Sequence, residues 1–228
     1  MCAVIGAYLK KPSIEDFNTL KLIFLESGIR GLHATGVSYI KDNEIITIKE
    51  PLPSLKFIKM YNLKDMVNED GNLYLIGHCR YSTSDLEYNQ PFANEQLSIV
   101  HNGVISQEMP ENWQDLYGYE TVTRNDSELL LKSIEAGENP LSFWHDASIS
   151  AIELHLDKKI VYYRNGKRPI YNTKVHNGVL VTSTSNIIER AGCSARPEEV
   201  NKDLRITYDG SLFTEEQIPI DTPDLQHA

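Results

Sequence analysis

Cys2 follows directly on Met1. Removing that methionine leaves a thiol and a free α-amine on one residue. The thiolate is a nucleophile, and an α-amine with an ordinary pKa of about 7.7–8.0 can take up and return a proton near neutrality. Nucleophile and base then share a residue, as in catalysis by an N-terminal nucleophile. Alone, Cys2 is better read as a small buried residue opening a first strand, since free cysteine packs as a small hydrophobe. Its company in the sequence has to overturn that.

Four short segments supply the company. In Arg30-Gly31-Leu32-His33-Ala34-Thr35-Gly36, two glycines bracket a polar turn and permit close backbone approach. Ordinary turn chemistry would explain it equally. Gly77 to Thr83 passes from an apolar stretch into a hydroxyl-rich loop through Arg80, Tyr81 and Ser82. A strand-end Arg80 can fork onto a carboxylate, although a solvated surface arginine is the commoner case. In His101-Asn102-Gly103, the Asn side-chain amide and the Gly N–H can form a two-donor oxyanion hole. Asn-Gly is also a favoured tight turn. Asp126 in Asn125-Asp126-Ser127-Glu128 can bind an ammonium group or simply cap a helix. Singly, each ordinary reading is the stronger. Together with Cys2 the segments supply a nucleophile, a carboxylate fork, an oxyanion hole and an ammonium acceptor. That set describes a site for an α-amino acid carrying a side-chain amide.

These residues fall at the ends of elements that patterning predicts. Residues 1–8 read as an apolar strand. Ser13 with Asp16 opens a helix that buries Phe17, Leu20 and Phe24 and stops at Gly28. Residues 36–40 and 44–49 form a hairpin around Asp42-Asn43. Residues 73–79 and 97–101 are strands, and 126–136 is a helix ended by Gly137. Strands follow at 148–156, 160–164, 178–182 and 204–208. Strands outnumber helices and several join through tight turns, which predicts mixed α/β (α+β) with mainly antiparallel sheets. Residues 82–91 and 106–124 lack periodicity, and loops of that length are often functional lids. A single domain is expected over 1–213, with a poorly packed acidic tail over 214–228.

Composition narrows the function class. The 228 residues, 41% of them hydrophobic, suffice for one substantial core. No run of about 18 apolar residues would span a membrane, and no secretory signal is visible. Three cysteines (Cys2, Cys79, Cys193) are too few and too scattered for a disulfide framework or a metal site. A reducing cytoplasm fits best. The formal net charge of −10 disfavours nucleic acid as a partner. No phosphate-cradling loop with the G-x-x-x-x-G-K-[ST] pattern occurs, and no cofactor or metal is expected.

Taken in order, the motifs carry a family resemblance. The chain resembles the class II glutamine amidotransferase domain, the glutaminase part of glucosamine-6-phosphate synthase, amidophosphoribosyltransferase and asparagine synthetase. The likeness runs through Met1-Cys2, Arg30-Gly31, residues 78–83, Asn89-Gln90-Pro91-Phe92, His101-Asn102-Gly103, Asp126-Ser127-Glu128, residues 164–169 and residues 182–185. It implies the four-layer αββα sandwich of N-terminal nucleophile hydrolases. It implies that Cys2 attacks the side-chain carboxamide of L-glutamine, with Asn102 and Gly103 as the oxyanion pair. Arg80, with Thr83 beside it, corresponds to the grip on the substrate carboxylate, and Asp126 to the partner of its α-amine. Arg30 supports the nucleophile, and Tyr81 and His101 belong to the substrate's surroundings. His33 stands where relatives usually carry Asp, and Tyr81 where they often carry Trp. Relatives usually fuse this domain to one that uses the ammonia. The expectation is therefore a freestanding subunit with a separate ammonia-accepting synthase partner. Two other readings stay open: an N-terminal Cys hydrolase of a different amide, and a silent regulatory module of the same fold.

Overall fold

The structure, a computed structural model, describes residues 2–82, 86 and 89–219. Strand β1 (Ala3–Leu9) is buried along its whole length. Its side chains alternate with the two-residue period of a strand. Ala3, Ile5, Ala7 and Leu9 enter one hydrophobic core, while Val4 and Tyr8 enter another. A strand apolar on both faces has to lie between two layers, and the remaining elements provide them.

Helix α1 (Ile14–Arg30) opens with a reciprocal cap: the Asp16 N–H donates to Ser13 Oγ and the Ser13 N–H to Asp16 Oδ2, at 3.2 and 2.7 Å. Its buried face carries Phe17, Leu20 and Phe24, as the periodicity predicts. It does not stop at Gly28, because that glycine packs against Ser54 in the next helix and the helical bonds run on to Arg30. Strands β2 (Ala34–Lys41) and β3 (Glu44–Glu50) form the expected hairpin, with Asp42 and Asn43 both in the left-handed region at φ 51° and 63°. Helix α2 (Ser54–Met60) precedes β4 (Leu73–Arg80). The short β5 (Phe92–Ala93) pairs with β6 (Leu97–His101). Helices α3 (Trp113–Tyr117), α4 (Ser127–Glu135) and α5 (Pro140–Phe143) follow. The second half adds β7 (Ser150–His155), β8 (Lys159–Arg164), β9 (Tyr171–Val175), β10 (Gly178–Thr182), α6 (Ser185–Arg190), β11 (Glu198–Glu199), β12 (Leu204–Tyr208) and β13 (Phe213–Gln217).

Two sheets result, ordered β11-β9-β10-β1-β4-β2-β3 and β13-β12-β8-β7-β6-β5. Every strand pair is antiparallel. Three cores separate four layers. One lies between the first sheet and α1, α2 and α6, and holds Leu20, Phe24, Phe57 and Ile188. The second fills the space between the sheets with Val4, Ile76, Val100, Ile152 and Tyr162. The third packs the second sheet against α3, α4 and α5 through Ile99, Trp113, Leu130, Leu141 and Trp144. This is the αββα sandwich. The segment from Thr214 corrects the sequence expectation: residues up to Gln217 form β13 on the edge of the second sheet, and Ile218 is buried in the third core. Exposed acidic side chains hide a strand whose backbone pairing with β12 fixes it. Residues 220–228 of the expected tail lie outside the described residues. The stretch 106–124 holds a 3₁₀ turn at Pro110–Asn112 and α3, rather than being wholly irregular.

Candidate active site

The ladders bring the chemistry-bearing residues to one end of the sandwich. Ala3 pairs with Cys79, so the register continues to set Cys2 across from Arg80 at the end of β4. The start of β1 is also tied from its other side, where the Val4 N–H donates to Ser183 Oγ at 2.9 Å. Gly31 closes the approach from α1. A Cβ there would lie 2.1 Å from the Cys79 carbonyl oxygen and 2.7 Å from the Arg80 nitrogen. The glycine of the Arg-Gly pair thus lets the turn lie directly against the strand end that carries Arg80.

The opposite wall is built at the end of β6. The His101 N–H donates to Gln90 Oε1 (2.6 Å), and Gln90 Nε2 donates both to the His101 carbonyl and to Ser127 Oγ (3.0 Å each). Ser127 Oγ, receiving that bond, donates to His101 Nδ1 at 2.9 Å, and Nε2–H donates to the Ser148 carbonyl at 2.9 Å. These partners assign the neutral tautomer with its proton on Nε2. Asn165 holds the Ser148 segment in turn, donating to the Ala147 carbonyl and accepting the Ile149 N–H. Gly103 follows against the same backbone, where a Cβ would fall 1.7 Å from the Ser148 oxygen. Asn102 is buried, its N–H donates to the Ser150 carbonyl, and its Nδ2 has no hydrogen-bond partner among the described residues. A buried amide donor in that state is rare and can serve an incoming oxygen.

Asp126 precedes α4 but does not cap it. Its Oδ2 accepts the Ile105 and Ser106 N–H groups at 2.6 and 3.3 Å, while Asn125 Oδ1 takes the Ser127 N–H. The carboxylate is thereby fixed toward the loop that leaves Gly103. Cys2, Arg80, Tyr81, His101, Gly103 and Asp126 all line one cavity of about 360 Å³, joined by Trp113, Glu108 and Arg124 on its outer side. Neither Asn102 nor Arg30 is part of the lining.

Burial sorts the titratable groups. Cys79, fully buried in the first core, has its thiol pushed up to about 12, chiefly by desolvation, and is inert as a nucleophile. Cys2 is only partly buried and reaches the cavity. Arg30 has its pKa lowered, first by burial and then by the like charge of Arg168, while Cys2 opposes the shift. That opposition places a guanidinium within electrostatic reach of the nucleophile. His78 is pushed down to about 3 by burial. Its Nδ1–H faces Asn89 Oδ1 at 3.3 Å, and its Nε2 has no partner among the described residues. His101 is lowered by burial as well.

Seven of the nine residues singled out from the sequence are gathered at this end of the molecule: Cys2, Arg80, Tyr81, His101, Asn102, Gly103 and Asp126. Arg30 contributes charge from behind. Thr83 lies outside the described residues. His101 lines the cavity, and both of its ring nitrogens are taken by Ser127 and Ser148, so the ring also braces the walls. Sequence reading missed Gln90, Ser148, Asn165, Arg168 and Ser183, whose partners lie far along the chain. Gln90, Asn165, Arg168 and Ser183 did fall within motifs already noted. Among the described residues no group of three or more His, Cys, Asp or Glu could hold a metal ion, and no helix is long and apolar enough to cross a membrane.

No family model matches the chain. It is 23% identical over 186 residues to glutamine–fructose-6-phosphate aminotransferase (isomerizing) of Staphylococcus aureus, an alignment that covers 75% of this chain and 30% of that protein. Among solved structures, the glutamine phosphoribosylpyrophosphate amidotransferase from B. subtilis, complexed with ADP and GMP, superposes with a TM-score of 0.74 at 18% identity. That match covers 95% of this chain and 49% of that one. A glutamine aminotransferase class-II domain protein from Silicibacter pomeroyi superposes with a TM-score of 0.57 at 15% identity, covering 96% of this chain and all of that one. The chain thus spans about a third of the curated relatives it matches and half of the first structural neighbour. The chain resembles class II glutamine amidotransferase domains, and its fold is their N-terminal nucleophile hydrolase sandwich.

Proposed function

We propose that this chain is a glutaminase of the glutamine amidotransferase type, which hydrolyses L-glutamine to glutamate and ammonia through a thioester on Cys2. The observation that carries the reading is the convergence of Cys2, Arg80, Gly103 and Asp126 on one cavity from four separate stretches of chain. Arg80 takes the substrate α-carboxylate as a fork, and Asp126 takes the α-ammonium. Held at both groups, the side-chain amide of glutamine reaches Cys2, whereas asparagine is one methylene short. Tyr81 closes the rim, and Arg30 supports the nucleophile.

Once Met1 is removed, the Cys2 α-amine accepts the thiol proton, directly or through a water. The sulfur forms a bond to the amide carbon, and charge gathers on the former carbonyl oxygen, where the Asn102 side chain and the Gly103 N–H donate. The carbon–nitrogen bond then breaks, and ammonia departs with the proton held by the α-amine. Water attacks the remaining γ-glutamyl thioester, glutamate leaves, and the thiol is restored. Ammonia passes to a separate synthase partner, and the three free thiols suit a reducing, cytoplasmic setting.

The test uses protein whose intact mass shows Met1 removed. An electrophilic glutamine analogue should add once, on Cys2, and ammonia should be released from glutamine but not from asparagine. Cys2→Ala should abolish both events, and a residue left ahead of Cys2 should abolish turnover. Release from other amides but not from glutamine would instead identify a different amidohydrolase. Absence of both adduct and turnover, with a candidate partner present, would identify a silent module.

A further inference from the structure

We propose that His33, through an unprotonated Nδ1, is the positioning residue that sets the pose of Arg80 and of the chain that follows it. This deepens the glutaminase reading and rests on it. His33 lies between α1 and β2 and holds three consecutive residues by three different contacts. Its backbone N–H donates to the Arg80 carbonyl at 3.0 Å. Its ring packs against the Tyr81 ring with centroids 4.9 Å apart. Its Nδ1 accepts the Ser82 N–H at 2.9 Å. The β2–β4 ladder has its last pair at Ala34 and Arg80. His33 therefore extends the ladder past its end, with a ring nitrogen as the acceptor. All three held residues line the cavity. A strand end would otherwise fray at this point, and a frayed Arg80 would grip a carboxylate poorly.

The hold depends on protonation state. Neutral imidazole offers one acceptor, whereas imidazolium has two donors and none. Protonated His33 would set a donor against the Ser82 N–H and lose that contact. Arg30 closes α1 ahead of it, Arg80 and Tyr81 meet it from the end of β4, and Glu50 on β3 pairs with Thr35, two residues on. Asparagine at position 33 can still accept through Oδ1 but cannot be protonated.

The experiment compares the wild type, His33→Ala and His33→Asn in glutamine hydrolysis at pH 8, with amide exchange of Ser82 measured on the same proteins. At pH 8, His33→Ala should raise KM about fivefold, the effect of one lost hydrogen bond, with kcat within about twofold. His33→Asn should stay near wild type. Ser82 should lose exchange protection in His33→Ala and keep it in His33→Asn. An unchanged KM in His33→Ala would overturn the proposal, and so would equal impairment of the two variants with Ser82 protected in both. Should His33→Ala fail to fold, a His33→Asn protein that keeps the wild-type KM while Ser82 loses its exchange protection would overturn it. If no protein releases ammonia, the glutaminase reading fails separately. Ser82 exchange then decides whether His33 holds the loop.

Discussion

A buried donor with nothing to donate to marks the chemistry most sharply at the level of single residues. Leaving a polar group unsatisfied costs about 1–3 kcal/mol, yet Asn102 Nδ2 has no partner among the described residues. Removing it should cost far less in stability than in rate. Asn102→Ala is expected to lower kcat for glutamine by about 10²–10³-fold with little change in KM. A loss confined to KM would place Asn102 in substrate binding instead. Arg80→Ala should do the opposite, raising KM by roughly 10–100-fold, the worth of a charged hydrogen-bonding pair. A KM near that of wild type would remove Arg80 from the carboxylate. Arg80, Asp126 and Gly103 were legible in the sequence because charged or special residues at element ends stand out against apolar strands. Asp126 also shows what sequence leaves open: as the residue before a helix it reads equally as a cap, and only its bonds to the Ile105 and Ser106 amides exclude that. The bracing role of His101 was not legible, because its ring partners lie 26 and 47 residues away. Nor was the grip of His33 on Ser82, across 49 residues.

Elements position these residues through close backbone contacts, and those contacts leave little slack. Gly31→Ala would press a methyl group against the Cys79 carbonyl, 2.1 Å away, at the point where β4 delivers Arg80. Overpacking of this kind typically costs about 1–3 kcal/mol. The strand end should shift with it, so the variant is expected to show both a lower urea midpoint and a higher KM for glutamine. A lower midpoint with unchanged KM would separate the Arg-Gly turn from substrate binding. The local signals that worked were those whose physics is local. Asp42-Asn43 adopts the left-handed conformations of a tight hairpin, the Ser13–Asp16 box caps α1, and 97–101, 178–182 and 204–208 are strands to the residue. The signals that failed were those that tertiary pairing overrides. Gly28 reads as a helix stop until Ser54 is seen against it. The exposed Phe213–Gln217 segment has no apolar face to betray a strand, and β9 mixes polar and apolar residues. Their pairing with β12 and β10 makes them strands.

Taken whole, the molecule couples its stability to pH through the histidines that frame the site. His78 is fully buried, with its pKa pushed down to about 3, and burial lowers His101 in the same direction. In the unfolded chain each takes up a proton near its ordinary pKa of about 6.5. The folded values lie lower, so below that pH the unfolded state binds more protons and stability falls as pH falls. For His78 the loss continues to about pH 3 and amounts to something on the order of 5 kcal/mol. The carboxylates act in a different window. Glu153, buried and paired with His155 and Arg205, is held below its ordinary value, and Asp70 is held at about 2. Their stabilisation is complete above an unfolded pKa of about 4 and disappears only as pH falls through the depressed values. Between pH 6.5 and 5 both histidines act in that direction, and the His78 proton alone sets a slope approaching about 1.4 kcal/mol per pH unit. Urea titrations at pH 7.5, 6.5, 5.5 and 5 should show a flat plateau and then that decline. His78→Asn, which cannot be protonated, should remove that part of the slope. A midpoint that stays constant down to pH 5 would mean that the unfolded and folded chains bind protons alike there. The neutral, buried histidine frame would then be wrong. Turnover measured beside the titrations keeps the two effects apart, because protonating the Cys2 α-amine should reduce kcat already on the plateau, before the fold weakens.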